Sequence, residues 1–146
     1  MRHAPRRRPR AFRRTALSHA LLLACASLSL PALADDECGA ATPGGQAVCE
    51  PAGPDPLPQV RYTGVSDFNL VLRSGVVVDG TTMPEGDTAV VVYGAGAIGL
   101  HAEDGTVIRS YDAWPAVDVV SSSGPVDVRV DQVYGGFVGV AALAEG

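Results

Sequence analysis

The chain has 146 residues, 47% of them hydrophobic, and a formal net charge of −5, but the charge is split unevenly along it. Residues 1–34 carry seven of the eleven Lys+Arg and none of the sixteen Asp+Glu, which leaves residues 35–146 with four Arg against sixteen acids, a balance of −12. Neutralising phosphates or anionic lipid headgroups takes clustered Lys and Arg, so no nucleic-acid partner and no lipid-adhering surface are expected.

The first predicted element is a secretory signal peptide over residues 1–34. Arg2, Arg6, Arg7, Arg8, Arg10, Arg13 and Arg14 form a basic n-region, residues 16–30 are apolar apart from Ser and His19, and Ala32-Leu33-Ala34 sets small residues at −3 and −1. Cleavage is predicted between Ala34 and Asp35, with export to the periplasm. The apolar stretch falls short of the about 20 residues that cross a bilayer and runs into Pro31, so no stable span is expected after cleavage. Leu22-Leu23-Ala24-Cys25 has lipobox character, which makes a small periplasmic lipoprotein anchored through Cys25 an alternative.

Residues 35–58 read as a clipped lead-in. Cys38 and Cys49 are the only thiols of the exported part, and in an oxidising compartment they are predicted to pair. Closing so short a loop stabilises by roughly 3 kcal/mol in the chain-entropy model. There is no CxxC spacing and no His nearby, so a structural clip is favoured over metal or redox chemistry. Pro51, Pro54, Pro56 and Pro58 then remove backbone donors and favour an extended chain.

From Gln59 onward the chain turns to short β-branched runs bounded by Gly, Asp and Ser: Asn69-Leu70-Val71-Leu72, Gly75-Val76-Val77-Val78-Asp79, Thr88-Ala89-Val90-Val91-Val92, Gly105-Thr106-Val107-Ile108 and Pro125-Val126-Asp127-Val128-Arg129-Val130. These read as strands, and no segment of ten or more residues shows unbroken helical periodicity, so an all-β fold is predicted. Alternation turns Val126, Val128 and Val130 inward and Asp127 and Arg129 to water. Ala97-Ile98-Gly99-Leu100 repeats as Ala116-Val117-Asp118-Val119 after 19 residues and as Phe137-Val138-Gly139-Val140 after 40, and Gly105-Thr106-Val107 repeats as Gly124-Pro125-Val126 after 19. A period near 20 residues marks a solenoid. Residues 59–146 are therefore predicted to form a right-handed parallel β-helix (β-solenoid) of about four coils.

Gly94-Ala95-Gly96-Ala97-Ile98-Gly99, directly after Val90-Val91-Val92-Tyr93, has the GxGxxG spacing of a Rossmann-type nucleotide binder. That chemistry needs a helix whose N-terminal amides hold a pyrophosphate. Here Gly105 and a new strand pattern follow within less than two helical turns, so the glycines are read as coil corners and no cofactor is expected. His101 alternates with Ile98, Leu100 and Ala102 and should face solvent rather than act as a base. No Ser lies in a GxSxG elbow, the acids at Asp79-Gly80, Glu85-Gly86-Asp87 and Asp104-Gly105 suit turns, and the calcium-binding nonapeptide repeat is absent; no catalytic or metal-binding residue is predicted. Trp114, before Pro115 in a loop between coils, is either a contact residue or a lid on the solenoid edge.

The basic signal peptide, the acidic start Asp35-Asp36-Glu37-Cys38-Gly39 closed by Cys49, and coils containing Gly96-Ala97-Ile98-Gly99-Leu100 and Val126-Asp127-Val128-Arg129-Val130-Asp131 resemble the N-terminal β-helical passenger region of a Gram-negative bacterial autotransporter. The resemblance implies an exported, non-enzymatic chain with an adhesin-like or structural role at the cell surface or secreted, and a β-barrel translocator in the outer membrane. The chain reaches Ala144-Glu145-Gly146 without barrel strands, so the expectation is a passenger truncated before its translocator. Its partners would be an unknown surface ligand or the missing barrel, and its exposed last coil would be open to self-association. An exported enzyme on a β-helix is the alternative, with Asp127, Arg129 and Asp131 as the only compact outward cluster.

Overall fold

The computed structural model describes residues 38–42, 45–83, 87–111 and 114–146. The predicted signal peptide, the Ala34/Asp35 cleavage site and Cys25 lie outside the described residues. Among the described residues nine strands follow one another: β1 (Gln46–Cys49), β2 (Val60–Leu72), β3 (Val77–Asp79), β4 (Val90–Ala102), β5 (Val107–Arg109), β6 (Val117–Ser121), β7 (Val126–Arg129), β8 (Gln132–Tyr134) and β9 (Val140–Ala144). The only helical turn among the described residues is a 3-10 turn at Gly80–Thr82, where the Asp79 carboxylate accepts from the Thr81 amide.

All pairings between these nine strands are parallel, and Thr42 makes an isolated antiparallel bridge to Gln46. One sheet runs in the order β1-β2-β4-β6-β9 with β7 also paired to β4, and the other runs β3-β5-β8. The fold is thus all-β with parallel sheets, an arrangement compatible with a β-solenoid. Identical or similar side chains fall into register: Val60, Val90, Val117 and Val140 form one inward column, Tyr62, Val92, Val119 and Ala142 a second, and Leu70, Leu100 and Val128 a third. In the other sheet Leu57, Val78, Ile108 and Val133 line up likewise. These columns, apart from the exposed Ala142, make the core; Val60, Leu70, Val90, Val117 and Ile108 are fully buried. Each such side chain stabilises the fold by about 1.5–3 kcal/mol relative to exposure.

The predicted 19-residue repeat is corrected by the register. Val60 lies opposite Val90, thirty residues on, Val90 opposite Val117 after twenty-seven, and Val117 opposite Val140 after twenty-three. Ile98 and Leu100 pair with Val126 and Val128 rather than with Val117 and Val119, and Val107 pairs with Gln132 rather than with Val126. The cause is visible in β2 and β4, 13 residues each, which turn a corner without ending. The corner of β2 uses Gly64 at φ 69° and Asp67 at φ 47°, with register shifts at both places. Two short predicted runs therefore belong to one bent strand, and the corner residues lengthen the true repeat.

Residues assigned to the lead-in also join the core. β1 pairs with Asn69–Leu72 at one end of the sheet, Leu57 bridges to Val78, and Ala47, Cys49 and Leu57 are buried in the cluster. A disulfide joins Cys38 to Cys49, with a Cα–Cα distance of 4.6 Å. At the other end of the sheet order, β9 pairs only with β6 among the described residues, and Phe137 (86%) and Leu143 (51%) are largely exposed.

Candidate contact surface

The GxGxxG residues sit inside β4, and no helix follows them. Their constraint is steric. A Cβ on Gly94 would collide with the Val65 carbonyl oxygen and lie 2.8 Å from Val65 Cγ2, while Gly96 has φ +73° and packs on Asp67. Successive corners interlock through polar groups: the Ala97 amide donates to Asp67 Oδ1 (3.0 Å), the Gly96 amide to Ser123 Oγ (3.1 Å), and the fully buried Ser121 hydroxyl to the Gly96 carbonyl (2.6 Å). The motif closes corners, as its strand-flanked position in the sequence requires.

The turn beyond each second half-strand is stacked in the same way. Arg73 pairs with Glu103 at 2.6 Å, the Ser74 amide donates to the other Glu103 oxygen (3.0 Å), and the Gly105 amide donates to Asp131 Oδ2 (2.7 Å). The Arg73 hydrogen bond first, and the Ser74 amide second, hold the Glu103 carboxyl below its ordinary range. The stacking of Arg73 on Glu103, not foreseen from the sequence, had a signal: Leu72-Arg73-Ser74-Gly75-Val76-Val77-Val78 and Ala102-Glu103-Asp104-Gly105-Thr106-Val107-Ile108 are aligned thirty residues apart, each with a left-handed glycine.

His101 is exposed on the outer face, in register with Val71 and Arg129. The expected outward cluster divides: Asp127 pairs with Arg129 (3.1 Å), whereas Asp131 serves the Gly105 turn. Among the described residues no serine hydroxyl is hydrogen-bonded to His101, and no group of three or more His, Cys, Asp or Glu is placed to hold a metal ion. On the outer face of the first half-strands Tyr93 donates its hydroxyl to Asp118. Burial first, then that hydrogen bond, pushes the phenol up to about 12, so at neutral pH it is a donor rather than a base.

Trp114, the single tryptophan, is 49% exposed. The structure brings it together with two tyrosines through Ser110, whose hydroxyl donates to the carbonyls of Tyr111 (3.3 Å) and Trp114 (3.4 Å) and whose amide donates to the Tyr134 carbonyl (3.0 Å). Arg109 lies 5.9 Å from the Tyr134 ring centroid and 3.7 Å from Asp79, so an acid, a guanidinium and an aromatic ring follow one another across β3, β5 and β8. Tyr111, Trp114 and Tyr134 all remain substantially exposed. Nearby, a cavity of about 270 Å3 lies between residues 52–57 and β3, with Asp79 and Arg109 on its wall. Shallower depressions flank the Asp67 corner (about 290 Å3) and the Glu103 turn (about 370 Å3).

The architecture places the chain among all-β proteins built from parallel strand ladders. No protein-family model, curated protein or solved structure matches it.

Proposed function

We propose that the chain is an exported, non-enzymatic β-solenoid of the autotransporter-passenger type, which presents a contact surface of adhesin-like character. Parallel pairing from β1 through β9 supports the solenoid, with β2–β3, β4–β5 and β6–β8 read as coils between partial ones at β1 and β9. Right-handed coiling follows from the general hand of parallel crossovers. The observation that carries the contact role is the exposure of Tyr111 and Trp114, between β5 and β6, and of Tyr134 on β8, all tied to Ser110 by hydrogen bonds to their carbonyls. Exposed Trp and Tyr supply large contact area at small entropic cost, whereas the charged side chains Arg73, Glu103, Asp127 and Arg129 are spent on one another. Display at a Gram-negative surface would require a translocator barrel as partner.

Expression of the full chain in a Gram-negative host tests both parts. A periplasmic or surface product beginning at Asp35 is expected, and a product retained in the cytosol with residues 1–34 attached refutes export. Immobilised protein should retain host cells or matrix proteins, with Trp114→Ala and Tyr134→Ala together abolishing retention at an unchanged melting temperature. Retention indifferent to both substitutions refutes the contact surface.

A further inference from the structure

The Cys38–Cys49 bridge closes a short segment over one end of the core, and the contacts of that segment divide unevenly between weak and strong. Its own hold on the rest of the protein is slight. β1 is four residues long, contributes only the small side chains of Ala47 and Cys49 to the core, and pairs with β2 over Asn69–Leu72 alone. Around it, the Asn69 amide donates to the Gly45 carbonyl (2.6 Å), the Arg73 amide to the Cys49 carbonyl (3.0 Å), and the Tyr62 hydroxyl to the Gly39 carbonyl (2.8 Å). A short strand with so little apolar area is marginal when left to itself. Beneath it lie Tyr62, Phe68 and Leu70, at most 2% exposed, with the two rings 4.9 Å apart. β2, by contrast, is paired with β4 from Val60 to Leu72, apart from Gly64 and Asp67, on the side away from β1.

We propose that the disulfide is a redox latch. Closed, it holds residues 38–42 and 45–49 as a lid over Tyr62 and Phe68; reduced, the lid leaves as a unit, uncovering those rings and the free edge of β2 at Asn69–Leu72, while the strands from β4 onward stay folded. The latch closes by thiol–disulfide exchange with a disulfide of a partner thiol compound. The Cys38 and Cys49 thiols become one disulfide, and the two electrons and two protons they give up convert the partner disulfide into two thiols. An uncovered strand edge beside two aromatic rings is a template for pairing with other chains, so oxidation also switches off a route to aggregation. The latch belongs to the chain itself and works independently of where the chain is exported.

Hydrogen exchange read by mass spectrometry on the full chain, disulfide-intact and with a phosphine reductant present, tests it. The Asn69 and Arg73 amides are expected to exchange on the order of a hundredfold faster when reduced, the loop-closure contribution of a short disulfide expressed as a ratio. The Val90 and Ile98 amides, which donate to Ala116 and Pro125, should keep their protection. Cys38→Ser, which breaks the bridge and keeps the Cys49 side chain, should reproduce the pattern without reductant. Unchanged protection at Asn69 and Arg73 overturns the latch, because β1 pairing alone then holds the lid. Equal loss at Val90 and Ile98 overturns it as well, because the disulfide is then a staple for the whole fold.

Discussion

Replacing each glycine of the Gly94-Ala95-Gly96-Ala97-Ile98-Gly99 motif by alanine should destabilise the protein in the order 94, 96, 99. At Gly94 the new methyl meets the Val65 carbonyl oxygen, Val65 Cγ2 at 2.8 Å and Ile98 Cδ1 at 3.0 Å. The carbonyl belongs to a strand paired with β4, so relief requires moving backbone. Overpacking of about 1–3 kcal/mol and a weakened ladder hydrogen bond of about 1 kcal/mol give a loss near 3 kcal/mol. At Gly96 the φ of +73° costs about 1–2 kcal/mol for an L residue, and the methyl also displaces Asp67 from the Ala97 amide. At Gly99 the obstacle is Asn69 Oδ1 at 2.5 Å, the end of an exposed side chain that can swing away. The roughly 0.4–1 kcal/mol gained by restricting the unfolded chain then leaves a change near zero. Thermal melting of the disulfide-intact protein should fall by about 12–24 °C for Gly94→Ala, at about 4–8 °C per kcal/mol for a domain of this size, and by a few degrees at most for Gly99→Ala. A Gly94→Ala protein melting with the parent, or Gly99→Ala as the least stable of the three, would refute this packing of the corners.

Leu100→Ala removes the middle of the Leu70–Leu100–Val128 column and should cost about 3–4 kcal/mol, measured by urea unfolding. Tyr93 should titrate near 12, seen as the phenolate absorbance missing from Tyr93→Phe. Because its folded pKa lies above the ordinary 10.0, its contribution to stability is present below pH 10 and is lost as the pH rises toward 12; Asp118→Asn should lower the titration only partly, since burial is the larger cause. Glu103 behaves in the opposite sense. Its folded pKa is depressed, so its stabilising effect is present above the ordinary value of 4.5 and disappears as the pH falls through the lower folded value. Melting curves of Glu103→Gln should differ from the parent at neutral pH and converge with it in acid.

The strands were legible wherever β-branched residues alternate with polar ones. Val126, Val128 and Val130 point inward while Asp127 and Arg129 face water, and His101 is exposed between Leu100 and Ala102, as period-two reasoning requires. The corner role of Gly96 and the Cys38–Cys49 pairing were equally accessible, because each follows from local chemistry. What escaped was the register. The first half of β2, Val60 through Asp67, mixes Arg, Tyr, Thr and Gly and shows no apolar run, yet it carries Val60 and Tyr62 into the core. Asp67 occupies a left-handed conformation usually reserved for glycine, so the β2 corner lacked a glycine to mark it there. Trp114 stands out in the sequence, but its grouping with Tyr111 and Tyr134 depends on β5–β8 pairing, which no local pattern discloses.

Two of the core columns end on smaller side chains than they begin with. Tyr62, Val92, Val119 and Ala142 succeed one another in register, as do Phe68, Ile98 and Val126, while the spacing between paired strands falls from thirty residues to twenty-three. β9, none of whose residues is fully buried, therefore buries less apolar area than β2, β4 or β6, and the free energy holding it is smaller. Among the described strands of the disulfide-intact protein, β9 is the most weakly held member of its sheet after β7. Under pulling force or protease β9 is expected to detach before β2 and β4, so the order of release is set by how much apolar surface each strand buries.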